Sequence, residues 1–451
     1  MSTANPRQAA YSILSRISKE RSYADILLDQ ELGRGSIQGP DRGLLTELVY
    51  GTLRRQGTLD HIIGQFSSIR IDRIERSVHT LLRLGIYQLF FLDRIPASAA
   101  VNETVKLSKL MAPKASAFIN AVLREADRKR DYLVWPDKGK DPAAWIAARH
   151  SAPKWIAQMW LDQLGPEEAE QLASSMCEAP PVTIRANSLK CSRDELLDRL
   201  SAENVSATPC RFSPTGIQII SHSPLTILNS HKEGLFTIQD EASQLTAHIL
   251  TPLPGETVLD ICAAPGGKTT CIAELMKNSG EITACDINPR RLEQVKLHAN
   301  RLGIKIISTA VMDAEEPLAS VSGKHFRRVL VDAPCSGLGV LRRNPEGKWW
   351  KTPEDIKSLA ELQRRILSKA ASSVALDGIL LYATCSTTTL ENESVVDDFL
   401  SMHHEFVLED VREIYPALAP LCSEKGHFRP WPHRQGMDGF FAARLRKQEN
   451  L

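Results

Sequence analysis

Between residues 257 and 384 the chain alternates short apolar runs with helix-like stretches, and this alternation restricts the fold more than any other feature of the sequence. The runs are VLDIC, EITACD ending at Asp286, KIISTAV ending before Asp313, RRVLVDA (327–333) and ILLYAT (379–384). Helical periodicity fills the gaps, at 268–277, 289–302 and about 354–375. Runs this short and this apolar are strands buried on both faces, and strands joined through helices run parallel. The expected core is a doubly wound, Rossmann-like α/β sheet, closed near the end of the chain by FFAARL as an antiparallel strand.

In such a sheet ligands sit beyond the carboxyl ends of the strands, where the unusual residues of this chain cluster. The first strand breaks into Cys262-Ala263-Ala264-Pro265-Gly266-Gly267-Lys268. The two glycines remove side chains where the chain must turn, and the following helix start offers unpaired N–H groups to an anionic ligand. Gly267-Lys268-Thr269 matches the tail of a nucleotide P-loop, but the opening glycine would have to stand at Cys262, which argues against that reading. Asp286, 19 residues beyond Gly267, stands where an acidic side chain accepts from the hydroxyls of an adenosine ribose. Asp313, Asp332, Cys335 and Cys385 follow later strands.

Upstream, residues 6–130 carry helical periodicity almost throughout, and 77–92 (SVHTLLRLGIYQLFFL) is apolar nearly all round, as the central helix of a bundle would be. The overall charge of +1 hides an asymmetry: residues 1–130 hold 20 Lys and Arg against 13 Asp and Glu. Residues 131–150 read as a linker, with Pro136, Gly139 and Pro142 among charged residues. Next comes a small α+β module: a helix from Pro153 to Ser175, the strand-like VTIRANSL, SRDELLDRL opening on a capping box, and GIQII. The expected division is 1–140 helical, 141–233 α+β, and 234–451 catalytic.

Nine cysteines without a C-x-x-C pair point to reduced thiols, with neither a zinc site nor a disulfide framework. MSTANPRQAAYSIL lacks the apolar core of a signal peptide, and no apolar run is long enough for a membrane span, so a cytoplasmic protein is expected.

Cys335 in VDAPCSGLGVLRRNP and Cys385 in LYATCSTTTLENE occupy turns, where a merely structural cysteine is less expected than in an apolar core. With CAAPGGKT, DAPCSG and ATCS, the chain resembles the RNA cytosine-C5 methyltransferases that use S-adenosylmethionine. NPRQAAYSIL, DRGLLTELVYGTLRR and ASAAVNETVKLSK…FINAVLR resemble the NusB-type helical RNA-binding domain, and RPWPHRQGMDGFFAARLRK matches a closing segment. Together these identify a member of the RsmB (Sun/Fmu) family acting on 16S ribosomal RNA. The resemblance implies methylation of a cytosine, number 967 in this family; a monomer with no metal and no membrane partner is expected. It further implies that Cys262 to Lys268 line the cofactor site, that Asp286 holds the ribose, and that Asp313 lies near the adenine. Asp332 would border both cofactor and target base, Cys385 would be the nucleophile, and Cys335 would assist product release. After ATCS the family usually carries Pro-Glu-Glu-Asn, whereas this chain has Thr389-Leu390-Glu391-Asn392.

The chemistry of the base asks for the same residue types. Cytosine C5 is a poor nucleophile until a thiolate adds at C6, which calls for a cysteine, a group to stabilise charge at N3, and a route for the C5 proton. Two alternatives stay open from the residues: a transfer RNA substrate, and a non-catalytic RNA-binding assembly factor.

Overall fold

The computed structural model describes residues 5–221, 224–316 and 325–449; the first four residues of MSTANPRQAAYSIL lie outside it. The chain divides into two compact units: Met1–Ala179 with Leu341–Lys351, and Pro180–Val340 with Thr352–Leu451.

The first unit is helical. Its opening helix, Pro6–Glu20, is started by Asn5, whose side chain accepts from the Arg7 N–H at 2.9 Å, and by Pro6 in the first turn. Helix Arg76–Phe91 is the central one, as its all-round apolarity predicts, with Leu81, Leu82, Leu84 and Ile86 fully buried. Gly85 lets its neighbours close in, since a Cβ there would meet Leu123 at 2.8 Å and Thr104 at 3.1 Å. The stretch 131–150 is not a bare linker: a 3-10 turn, Arg130–Tyr132, leads to Trp135 stacked on His61 and to helix Pro142–Arg149. Helix Lys154–Ser175 follows, broken at Gly165, where the backbone turns to φ +76° ahead of Pro166.

Segment Leu341–Lys351 returns to this unit from far along the chain. Its Glu346 accepts from the Ala24 N–H at 3.0 Å, the Arg54 guanidinium donates to the Arg342 carbonyl, and Lys348 donates to the Arg54 carbonyl at 3.0 Å. Burial lowers the Lys348 ammonium to about 8.

The second unit holds two sheets. The smaller has the order β2-β3-β1-β4: β1 Val182–Ala186, β2 Ala207–Pro209, β3 Gly216–Ile219 and β4 Phe236–Ile238. Helix Arg193–Ala202 lies within this module and opens on the capping box of Ser192 and Glu195.

The larger sheet has the order β10-β11-β9-β8-β5-β6-β7. Strands β5 (Thr257–Ile261), β6 (Glu281–Asp286), β7 (Ile307–Val311), β8 (Phe326–Asp332) and β9 (Val374–Thr384) are parallel. β11 (Phe441–Lys447) joins β9 antiparallel, as FFAARL predicts. β10 (Phe406–Glu409) pairs outside it, an element the sequence reading lacked. Four residues without alternation carry no periodic signal of their own.

Alternate residues of the parallel strands feed two separate cores. Val258, Leu330 and Leu381 pack with helices Glu241–Leu250 and Gly267–Leu275, while Leu259, Val331 and Tyr382 pack with Pro353–Ala371 and Glu393–Met402. This two-sided burial explains the unbroken apolar runs. From β5 the chain builds outward through β6 and β7, then returns to β8 on the other side of β5, so the crevice between them opens beyond these carboxyl ends.

Candidate active site

Loop 262–267 leaves the end of β5 with Cys262 at φ +62° and Gly266 at φ +102°. A Cβ on Gly266 would stand 3.1 Å from the Val295 backbone, so glycine is required there by both conformation and space. Gly267 is different: its nearest neighbour, Gln239, would be in ordinary contact at 3.6 Å, and the sequence expectation of steric need does not extend to it. The helix beyond the loop is clamped from β1, a feature sequence reasoning missed. Arg185, 1 % exposed, donates to both carboxylate oxygens of Glu274 at 2.8 and 3.0 Å and to the Gly267 carbonyl at 2.8 Å. Behind the loop, burial raises the Asp260 carboxyl to about 7 while the Thr269 hydroxyl donates to it at 2.6 Å.

A cavity of about 270 Å³ lies against the ends of β5, β6 and β7. Asp286, Asp313, Cys262, Arg291 and Glu315 contribute to its polar lining, with Ile287, Met312 and Ile366 among its apolar walls. The Asp286 carboxylate is oriented by backbone donors, Asn288 N–H at 2.9 Å and Ala264 N–H at 3.2 Å. Asp313, at the solvent side, accepts from the Glu315 N–H at 3.0 Å. Two fixed carboxylates beside an apolar slot suit a ligand that joins hydroxyls to a flat heterocycle. Burial pushes the Cys262 thiol up to about 12, so it lines the cavity as a neutral group.

On the other side of β5, Asp332 closes β8 and pairs with Lys268, Nζ to Oδ2 at 2.7 Å. Burial opposes the charge on Lys268, but the Asp332 carboxylate outweighs it and raises the ammonium above its ordinary range. Cys335 and Cys385, 50 positions apart, are brought to 3.2 Å between sulfurs because β8 and β9 run parallel with Asp332 opposite Ala383. The hydrogen bond to Cys385, followed by burial, drives the Cys335 thiol well above its usual range, so Cys335 keeps its proton beside the other sulfur. The sequence-predicted residues thus form two adjoining groups: 262–267, Asp286 and Asp313 around the cavity, and Lys268, Asp332, Cys335 and Cys385 beyond it.

What holds the two cysteine loops together was not legible beforehand. Glu391, fully buried, accepts from Ser336 N–H at 2.7 Å, Ser336 Oγ at 2.5 Å, Ser386 Oγ at 2.5 Å, Thr388 Oγ1 at 3.0 Å and Gln363 Nε2 at 3.1 Å. Asn392 accepts from Thr384 Oγ1 at 2.6 Å and donates to the Ser386 carbonyl at 3.0 Å. The altered Thr-Leu-Glu-Asn segment therefore keeps its last two side chains as internal anchors. From the closing segment, Arg429 donates to the Ser386 and Thr387 carbonyls. Gly339 donates to the Cys385 carbonyl at 2.9 Å, and a Cβ there would come within 2.0 Å of the Gly439 oxygen.

A doubly wound sheet with this crevice and this pair of sulfurs defines an S-adenosylmethionine-dependent methyltransferase. Residues 247–446 match the family described as 16S rRNA methyltransferase RsmB/F, residues 4–128 the NusB family, and residues 152–226 the ferredoxin-like domain of the RsmF/B-like methyltransferases. The chain is 36 % identical to the probable ribosomal RNA small subunit methyltransferase B of Bacillus subtilis, covering 99 % of this chain and all of that one. It is 35 % identical to the ribosomal RNA small subunit methyltransferase B of Pseudomonas putida, covering 98 % of each. The crystal structure of PH0851 superposes with a TM-score of 0.81 at 29 % identity, over 98 % of this chain and 99 % of that one. NSun6 from Pyrococcus horikoshii with SFG does so at 0.59 and 25 % identity, over 66 % and 99 %. The chain belongs to the ribosomal RNA small subunit methyltransferase B family.

Among the described residues no helix is long and apolar enough to cross a membrane, and no three His, Cys, Asp or Glu side chains gather as a metal site would require.

Proposed function

We propose that this protein methylates C5 of a cytosine in 16S ribosomal RNA, cytosine 967 in this family, with Cys385 as nucleophile. The single observation that carries the reading is the pair of sulfurs 3.2 Å apart at the adjoining ends of β8 and β9, the first of which ends on Asp332. Residues 262–268, Asp286, Asp313 and Asp332 hold S-adenosylmethionine, which supplies an electrophilic methyl group when bound. Residues 1–140 and 141–233 grip the RNA around the target, supported by the likeness to the NusB and ferredoxin-like domains.

Cys385 as thiolate adds to C6 of the base and turns C5 into an enamine-like carbon. To stabilise the charge reaching N3, Asp332 must carry a proton that it can donate there, and the Lys268 ammonium paired with it at 2.7 Å can supply one. The C5 proton then passes to Cys335 once its thiol has released its own proton to solvent, or to a water that Cys335 positions. Loss of that proton expels the Cys385 sulfur and restores the aromatic ring. The reaction needs the base out of its stack, either flipped or presented in a loop.

Mapping 5-methylcytosine in ribosomal and transfer RNA from cells with and without the gene tests the assignment. A single 16S cytosine should lose its methyl group in the deletion. Loss confined to transfer RNA would move the substrate, and no loss anywhere would leave a non-catalytic RNA-binding role.

Binding of the cofactor provides a second expectation. Asp286→Ala should weaken S-adenosylmethionine binding by calorimetry at a cost of about 1.5–3 kcal/mol, the scale of hydrogen bonds to a charged acceptor. Equal affinity in the variant would remove Asp286 from the cofactor site.

A further inference from the structure

In the helical unit a second cavity, of about 260 Å³, lies between helices Pro6–Glu20, Pro40–Arg54 and Arg76–Phe91 and the segment Leu341–Lys351. A water molecule's share of liquid volume is about 30 Å³, so the space exceeds what one or two bridging waters need. Leu14, Ile17 and Leu53 supply an apolar wall, and the rings of Trp349 and Trp350 also line it.

Three polar atoms of residues that line it are buried with no partner among the described residues: Glu346 Oε2, Thr52 Oγ1 and Trp349 Nε1. Glu346 and Thr52 are 1 % and 2 % exposed. Neither large group is free to turn away. The other oxygen of Glu346 is tied to the Ala24 N–H at 3.0 Å, and the Trp349 ring edge sits against Gly57, where a Cβ would stand 2.9 Å from it. Buried polar groups are nearly always satisfied, so an acceptor, a hydroxyl and a donor left open around one cavity call for a ligand with complementary groups along one edge. The apolar wall and the indole rings ask that this ligand also be flat and partly apolar. At the rim, Arg21 is exposed and has no ion-pair partner among the described residues.

We propose that this cavity receives one unstacked nucleobase of the RNA strand, with its N–H edge on Glu346, its acceptor on Trp349 or Thr52, and a neighbouring phosphate on Arg21. Single-stranded RNA is commonly read in this way, by an aromatic face together with hydrogen bonds to the base edge. The inference rests on the reading of the chain as an RNA methyltransferase. Free nucleotides share the chemistry and form a separate arm of the test.

The full-length protein is titrated with a 16S transcript containing the methylated region and 4-thiouridine for cross-linking, and separately with the four nucleoside monophosphates. Glu346→Gln keeps the acceptor for Ala24 but removes the open carboxylate oxygen, and Trp349→Phe keeps a ring on Gly57 but removes the donor. Each should weaken transcript binding about tenfold. Both should keep the wild-type salt slope, because phosphate contacts are untouched, and both should retain S-adenosylmethionine affinity and thermal midpoint. Arg21→Ala should weaken binding and make the salt slope shallower by about one. Cross-links should map to the peptide containing Trp349. Wild-type transcript affinity in both variants, with cross-links elsewhere, overturns the pocket while leaving the methyltransferase reading intact. Monophosphates that bind as tightly as the transcript without competing with it overturn the strand as ligand in favour of a free nucleotide. A wild-type protein that binds no transcript overturns the RNA reading itself and the pocket with it.

Discussion

Cys335→Ala should trap a thioether-linked protein–RNA complex that survives denaturing gel electrophoresis, whereas Cys385→Ala should give neither adduct nor 5-methylcytosine. The asymmetry follows from which sulfur makes the bond. Without Cys385 there is nothing to add at C6, and losing a nucleophile costs on the order of 10⁴-fold or more in rate. Without Cys335 the addition and the methyl transfer remain possible, but the C5 proton has no acceptor and elimination stalls. The double variant should show no adduct, because the bond to be trapped belongs to Cys385. The two sulfurs sit 3.2 Å apart, so geometry alone would let the roles be exchanged; the assignment rests on the likeness of the ATCS and DAPCSG segments to those of the family. An adduct in Cys385→Ala that vanishes in Cys335→Ala would reverse the roles, and full methylation in both would end the covalent mechanism.

Glu391→Ala should lower the stability of the catalytic unit by about 3–5 kcal/mol, the range for stripping a buried charged partner from its hydrogen bonds. For a unit of this size that is a fall of roughly 6–20 °C in the thermal midpoint. One carboxylate serves five donors drawn from the Cys335 loop, the Cys385 loop and helix Pro353–Ala371. Alanine would leave the Ser336 N–H buried without an acceptor and the three hydroxyls with only one another, while Gln363 keeps the Pro334 carbonyl at 2.9 Å. Methylation should fall more than a hundredfold at temperatures where the variant is still folded, because the Ser336–Ser386 hydroxyl contact at 3.1 Å and the Gly339 N–H bond to the Cys385 carbonyl would be left to tie the two turns without the shared carboxylate. Glu391→Gln should be milder: one oxygen remains, and the three hydroxyls can rotate to accept from the new amide. An alanine variant with unchanged melting and rate would show that strand pairing alone positions the sulfurs.

Much of the site is readable along the chain because its chemistry is concentrated in short segments. Each of 262–268, Asp286, Asp313, Asp332, Cys335 and Cys385 follows an apolar strand, and a parallel sheet must carry all such ends to one edge. Less could be read where the partner lies far away. Glu391 resembles any surface glutamate until the fold surrounds it, Arg185 sits on a strand of the small sheet yet clamps a helix 82 or more positions later, and Glu346 belongs to a segment that leaves the catalytic unit for the helical one.

The amino-acid sequence by itself determined the strand and helix alternation, the glycine at 266, the basic helical N-terminal stretch and the placing of two cysteines at strand ends, all of which depend on local periodicity or side-chain type. Only the tertiary structure decided the pairing of β10 with β11, the packing of residues 131–150 and the 3.2 Å approach of the sulfurs. These depend on contacts between residues distant in sequence, where the energy comes from removing several groups from water together and no single segment carries a record of its partner.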